Sequence, residues 1–315
     1  MQFFLTVLGV ILLICAMLYI ILRVVFLMAF AIPERNTSPL SLIPESEQYD
    51  SYRKRIENGI REISEKEFEP VYIKSYDGLL LFGRLYKNDR QDIIEIAFHG
   101  YRSSPYLDFC GGSCLSKSMG VSTILVDQRG HGKSEGKAIT FGIKERLDVL
   151  SWANFISQRF SDSKILLSGL SMGASTVLMA SELKLPENVI GILADCPYSS
   201  PSEIILKVAR DKGFNPKLIY PFIRLSARLF AGVDIDSCSA VEAVKHARLP
   251  ILIIHGDDDR FVPHSMGKAI YDAAESPVKR FLSVRGAGHG MSYFADNDGY
   301  VGAVKEFVEG IIKKG

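Results

Sequence analysis

No charged side chain occurs in the first 22 residues, and no basic group precedes that apolar run. A cleaved signal peptide needs a basic n-region, a shorter apolar core and a small-residue cleavage site, so that reading is set aside. Cysteine is sparse: the 315 residues hold five, with neither a Cys-x-x-Cys pair nor zinc-like spacing. An odd number without evident pairing fits free thiols in a reducing compartment better than a disulfide framework. Cys110 and Cys114 could neighbour each other on a helix, and a buried apolar role is the default for both. With no metal-ligand spacing, neither a metal nor another cofactor is expected. A formal net charge of +1 gives no electrostatic case for nucleic acid. There is no internal repeat and no low-complexity tract.

What is present begins with the apolar run itself. As a helix, residues 1–22 extend roughly 33 Å at 1.5 Å per residue, enough to cross a hydrocarbon core of about 30 Å. Arg23 interrupts, and residues 24–32 continue apolar until Pro33. A buried core helix would keep a polar face, and this run has none, so residues 1–32 are expected to be a single-pass membrane anchor. Arg23, Arg35 and Arg53-Lys54-Arg55 all follow the apolar core, which leans the rest of the chain toward the cytoplasm. Residues 33–50, rich in Pro, Ser, Glu and Asn, read as a linker. Residues 52–67 carry Ile56, Ile60 and Ile63 at helical spacing on an otherwise charged helix, packed on the domain or lying near lipid. Residues 33–70 are thus linker and juxtamembrane helix, and 71–315 a single large domain. Residues 71–86, turning at Asp77-Gly78, open it as a hairpin.

Lys164-Ile165-Leu166-Leu167-Ser168-Gly169-Leu170-Ser171-Met172-Gly173-Ala174-Ser175 carries the chemistry. It reads as a short apolar strand, a Gly-x-Ser-x-Gly turn and a helix opened by small residues. A sharp strand-to-helix turn pushes the serine out of the sheet, and the helix aims its free N–H groups at the same place. Gly169 and Gly173 leave room where a Cβ would clash. A serine hydroxyl needs a base and an acid, and on a doubly wound sheet these follow the serine in the order acid, then histidine. The strand 249–256 runs into Asp257-Asp258-Asp259-Arg260-Phe261-Val262-Pro263, and the strand 279–284 into Arg285-Gly286-Ala287-Gly288-His289-Gly290. Both loops lie at carboxyl ends of strands, where open α/β sheets place their sites.

From about Val71 onward the chain resembles the α/β-hydrolases, in particular bacterial membrane-anchored serine hydrolases of the serine aminopeptidase-like and monoglyceride-lipase-like branch. The resemblance is carried by His99-Gly100-Tyr101, Asp127-Gln128-Arg129-Gly130-His131-Gly132-Lys133-Ser134, the Ser171 turn, the Gly256–Pro263 loop and Gly288-His289. It implies an α/β fold: a mostly parallel, doubly wound sheet with helices on both faces and a small helical cap. It implies Ser171 as nucleophile, His289 as base and Asp259, not Asp257 or Asp258, as acid. It also implies an oxyanion hole of the Tyr101 and Met172 N–H groups. His99 is expected to hydrogen-bond nearby backbone, Asp127 and Arg129 around His131 to fix loop geometry, His255 to end a strand beside the acid loop, and His246 and His264 to lie at the surface. Asp195 could serve as an alternative acid, although a structural role is the preferred reading.

Residues 199–248 are expected to form the cap. Ser200-Pro201-Ser202-Glu203 has the spacing of a capping box, Gly213 would end the first helix, and residues 220–230 would form a second, closed by Gly232. Its aromatic and aliphatic side chains could line an acyl pocket, although for each residue singly packing the cap on the core is the preferred reading. The expected activity is hydrolysis of an acyl ester, carboxylesterase or lipase-like, on a small-molecule or lipid-like substrate. Peptidase, aminopeptidase or thioesterase action is the enzymatic alternative, and a non-catalytic membrane-tethered binding module the other. Haloalkane dehalogenation would need a carboxylate in place of Ser171.

Overall fold

The computed structural model describes residues 1–32, 38–110 and 112–313. Residues 33–37, where the expected linker opens, lie outside that set. Eight strands form one sheet in the order β1-β2-β4-β3-β5-β6-β7-β8. In chain order they are β1 (Glu69–Lys74), β2 (Leu80–Tyr86), β3 (Arg90–Phe98), β4 (Val121–Asp127), β5 (Lys164–Leu170), β6 (Val189–Asp195), β7 (Ile251–Gly256) and β8 (Lys279–Val284). β2 is antiparallel to both neighbours and every other pairing is parallel, so β2 alone runs against the rest. The hairpin expected at residues 71–86 is β1 and β2. β4 and β7 are buried along their whole length, as unbroken apolar runs require in a sheet covered on both faces.

One face packs on helices Glu145–Arg159, Met172–Ala180, Ala240–Val244 and His264–Ala273, around the fully buried Trp152. The other packs on Cys114–Met119 and Asn297–Ile312. β3 is the switch point, since β4 lies on one side of it and β5 on the other. The loops after β3 and β5 therefore diverge and leave a crevice at the carboxyl ends of the strands.

The charged residues after β4 brace this end of the sheet. Arg84 pairs with Asp127 at 2.6 Å, and Arg129 pairs with Asp148 at 2.6 Å and Asp77 at 3.0 Å. Arg129 and Asp148 are both about 95 % buried. Removing one partner of such a pair strands the other charge in low dielectric. Arg129→Ala is accordingly expected to destabilise the domain by about 3–5 kcal/mol, read from denaturant unfolding.

The N-terminal helix Gln2–Ala29 is long and apolar enough to cross a membrane. Its side chains are exposed through Ile21, whereas Leu22, Phe26 and Phe30 are buried, the last two in the apolar cluster of the cap. The cap holds helices Pro201–Asp211 and Pro216–Ser226 and the wider turn Ala227–Ala231, whereas Ala240–Val244, expected within it, packs in the helical layer on the sheet. Ser200 caps the first helix by accepting the Glu203 N–H, and Gly213 and Gly232 sit at positive φ beyond helix ends. The second helix begins at Pro216, four residues before the expected start, because Asn215 supplies an N-cap bond and Pro216 a compatible first turn. Helix Arg53–Glu65 turns Ile56, Ile60 and Ile63 into the domain. The expected linker is folded from residue 38 onward: Ile43 is buried with Ile56, Ile60, Cys110 and Met291.

Candidate active site

Ser171 stands between β5 and the helix Met172–Ala180 with φ 55° and ψ −113°, a strained conformation for a residue with a Cβ. The turn closes only because its flanks are glycine. A Cβ on Gly169 would lie 2.3 Å from the Gly173 carbonyl carbon, and one on Gly173 would lie 1.9 Å from the Phe98 oxygen. The Ser171 N–H donates to the Asp195 carbonyl at 2.8 Å, tying the turn to the end of β6. Met172 opens the helix, so its N–H is among those a helix cannot satisfy internally.

β7 and β8 deliver the other two groups. His289 Nε2 is 2.9 Å from Ser171 Oγ, and His289 Nδ1 is 2.8 Å from Asp259 Oδ2. The other Asp259 oxygen accepts the N–H groups of Phe261 and Val262 at 3.0 and 2.8 Å. Burial works against its charge, yet the hydrogen bonds from His255 and His289 outweigh it and hold Asp259 well below the usual carboxylate range. An ionised carboxylate only accepts, so Nδ1 of His289 carries the proton and Nε2 offers its lone pair to the serine hydroxyl. The neighbouring acids are engaged elsewhere: Asp257 accepts the Gly286 N–H at 2.6 Å, and Asp258 pairs with Arg260 at 3.2 Å.

Tyr101 follows β3, whose Phe98 is paired with Gly169 of β5, so the Tyr101 and Met172 backbones belong to the same crevice. His99 accepts the Gln128 N–H at Nε2 (3.1 Å), so its Nδ1 carries the proton and donates to the Gly100 carbonyl (2.8 Å). His131 accepts the Arg102 N–H at Nε2 (3.2 Å) and donates from Nδ1 to Arg129 O (3.1 Å). Burial lowers these two rings to about 4 and about 3, keeping both neutral scaffolding. His255 is fully buried, bonded to the Val262 carbonyl at 2.9 Å and 3.4 Å from Asp259. His246 is exposed as expected, but His264 is half-buried, bonded to Ser283 at 2.9 Å and packed on Phe281. Asp195 is buried, which pushes its carboxyl up to about 6.

Three further residues shape the site. Asp108 accepts the Gly100 N–H and the Ser103 hydroxyl, both at 2.5 Å, while its burial pushes the carboxyl up to about 6. Tyr49 donates its hydroxyl to the His289 carbonyl at 3.1 Å, and Gln48 donates to the Asp258 carbonyl at 2.8 Å. Nothing in the sequence singled them out. Gln48 and Tyr49 lie in a stretch of linker composition, and Asp108 ends a one-turn helix, Pro105–Asp108.

Above Ser171 and His289 opens a cleft of about 530 Å³. Leu42, Tyr49, Leu107, Phe261, Met291 and Phe294 make it largely apolar, and Lys207, Asp211 and Arg260 add charge. No residue from 220 to 230 lines it, so the second cap helix walls no acyl pocket here, and packing, the preferred reading for each of its residues, is what the structure shows. Its buried side chains pack against the N-terminal helix and the cap's own core, where Ile223 and the following Ala227 join Phe26 and Phe30. Side chains of the loop after β3 also hold the N-terminal helix. Tyr101 donates to Ala29 O at 2.9 Å, and Arg102 to Leu27 O and Ala31 O at 3.0 and 3.1 Å, satisfying carbonyls a helix end leaves open. Among the described residues Cys196, Asp259 and His289 have ligand atoms within 4.8 Å of one another. Ligation there would break the serine–histidine–aspartate line, and burial raises the Cys196 thiol far above its ordinary value.

A switch-point crevice, a strained serine turn and a histidine and acid from the last two strands define the α/β-hydrolase class. The chain belongs to the α/β-hydrolase superfamily: residues 96–238 match the family model described as alpha/beta hydrolase fold, and residues 224–294 that of serine aminopeptidase, S33. Protein YqkD of Bacillus subtilis (strain 168) is 25% identical over 197 residues, 62% of this chain and 64% of that protein. Lysophosphatidylserine lipase ABHD12 of Danio rerio is 29% identical over 167 residues, 50% of this chain and 40% of that protein. The chain thus spans less than two thirds of either relative. Among solved structures, an esterase of Pyrococcus furiosus aligns with a TM-score of 0.65 at 22% identity, covering 89% of this chain and 97% of that one.

Proposed function

We propose that this chain is a membrane-anchored serine hydrolase that cleaves the acyl ester of a lipid-like amphiphile through an acyl-enzyme. The observation that carries the proposal is the unbroken hydrogen-bonded line from Ser171 Oγ through His289 to Asp259 at the floor of a largely apolar cleft. Ser171 Oγ attacks the acyl carbonyl while His289 Nε2 takes its proton. The carbonyl electron pair moves to oxygen, where the Met172 and Tyr101 N–H groups stabilise it; one such donor is typically worth about 10²–10³-fold in rate. Collapse expels the alcohol, which leaves with the proton from His289. Water then repeats the sequence on the acyl-serine and frees the acid. Asp259 holds the imidazole in the tautomer that makes each transfer run in the right direction.

The lipid-like substrate is supported by the apolar cleft and by the apolar N-terminal helix fixed to the loop that carries Tyr101. The lipase and esterase names among its relatives agree with this choice. The basic groups after the apolar run favour a cytoplasmic domain. The test is a p-nitrophenyl ester series on the full chain in detergent, after covalent labelling with a fluorophosphonate. Medium-chain esters are expected to exceed acetate by about 10-fold or more in kcat/KM, since each buried methylene is worth about 0.8 kcal/mol. Equal rates across the series would remove the amphiphile from the proposal. Absence of labelling would remove the hydrolase.

Aminopeptidase action is the second reading, favoured by the match of residues 224–294. A free amino terminus needs an unengaged carboxylate in the cleft. The carboxyl of Asp108 is committed to Gly100 and Ser103, and that of Asp211 to Lys207 at 2.6 Å. Ester cleavage is therefore preferred.

A further inference from the structure

The second cap helix leaves an apolar stripe uncovered. Phe214, Leu218, Leu225 and Leu229 are 44%, 70%, 40% and 60% exposed, and Pro221 between them is exposed as well. Leu218, Pro221 and Leu225, at spacings of three and four, share one face of the helix Pro216–Ser226, with Phe214 just ahead of its Asn215 N-cap and Leu229 in the wider turn that follows. The opposite face is spoken for: Ile223, Ser226 and Ala227 are buried, and Ser226 donates to the Leu22 carbonyl at 2.9 Å. Beyond residue 28, nine large apolar side chains are exposed among the described residues, and four of them lie on this stripe. That concentration marks a surface with a partner.

The N-terminal helix says which partner. Its side chains are exposed as far as Ile21, and Leu22 is the first that is buried. Twenty residues from Gln2 to Ile21 rise about 30 Å, one hydrocarbon thickness. Lipid therefore ends where the cap begins. At that level the Phe230 ring, one residue past the stripe, sits 5.9 Å from Tyr19 and 5.7 Å from Phe26, with the Arg23 guanidinium 4.9 Å from its centre. Arg224, beside the stripe, is ion-paired to Asp234 at 3.0 Å, and Arg228 pairs with the same carboxylate.

We propose that the face of Phe214, Leu218, Pro221, Leu225 and Leu229 is a second membrane contact, docked in the headgroup and acyl boundary of the leaflet from which the N-terminal helix emerges. The proposal rests on reading Gln2–Ala29 as a membrane span. An amphipathic helix lying in the interface buries its apolar face at this depth. Lys207 and Asp211, on the preceding cap helix, line the cleft over Ser171. Docking of the stripe holds that cleft at the lipid surface, so a lipid-borne ester reaches it without crossing bulk water.

The test uses the full chain reconstituted in phosphatidylcholine–phosphatidylglycerol vesicles, with the phosphatidylcholine brominated near the headgroup end of its acyl chains. The protein has one tryptophan, Trp152, which is buried in the core and supplies an unquenched baseline. Leu218→Trp and Leu225→Trp are expected to lose about half or more of the added emission, and Tyr72→Trp, at the far sheet edge, to lose none. Quenching at 218 no greater than at 72, in protein that floats with the vesicles on a density gradient, overturns the second contact and leaves the anchor standing. Protein that fails to float overturns the anchor and the contact together. A dimer cross-linked through this face assigns it to a second copy and also overturns the proposal.

Discussion

Ser171→Ala is expected to lower kcat on a p-nitrophenyl ester by about 10⁶-fold and to abolish fluorophosphonate labelling, with the fold intact. The magnitude is that of removing a serine nucleophile whose base, acid and oxyanion donors act as one unit. His289→Ala is expected to cost about as much, and the double variant little more, because once one member is lost the others have nothing to act on. The strained φ of 55° at Ser171 would be kept by alanine, which carries the same Cβ, so near-native unfolding midpoints are expected. Label that persists in Ser171→Ala places the nucleophile elsewhere and undoes the site assignment.

Asp259→Asn is expected to lower kcat by about 10⁴-fold while changing KM little. The carboxylate now accepts from His289 Nδ1 and from the Phe261 and Val262 N–H groups. With those two backbone donors fixing one oxygen, the asparagine NH₂ would face His289 and donate to Nδ1. The imidazole proton would then sit on Nε2, where the lone pair for Ser171 is needed. Asp257→Asn and Asp258→Asn are expected to stay within about 3-fold of the parent, since neither touches the imidazole and surface substitutions of this kind are mild. A 10⁴-fold loss in Asp258→Asn with an active Asp259→Asn would move the acid by one residue and refute the geometry given above.

The elements legible in the sequence are those set by local chemistry. The glycines of the Ser171 turn, the apolar strand ahead of it, the buried-type strand read at 249–256 and observed at Ile251–Gly256, the hairpin at Asp77-Gly78 and the Ser200 cap each follow from a few adjacent residues. Their physical causes, steric room, apolar periodicity and an orphan N–H to satisfy, act within a turn or two of chain. The Ser171, His289 and Asp259 assignments are what the family resemblance implies, and in the folded chain the three are hydrogen bonded across separations of 118 and 30 residues.

Contacts between distant segments were decided by the tertiary structure. Gln48 and Tyr49 have the composition of a linker, yet they hold the His289 and Asp259 loops across separations of 240 and 210 residues. Asp108 looks like any surface acid until the chain brings Gly100 and Ser103 to it. The aromatic cap helix, which could have walled a pocket, packs on the N-terminal helix, because an amphipathic pattern fixes that a face is buried and not what buries it. Sequence by itself determined the candidate serine, histidine and acid and the apolar helix ahead of them. Which surfaces meet was left to packing, where the free energy depends on the whole set of neighbours rather than on any residue's own preference.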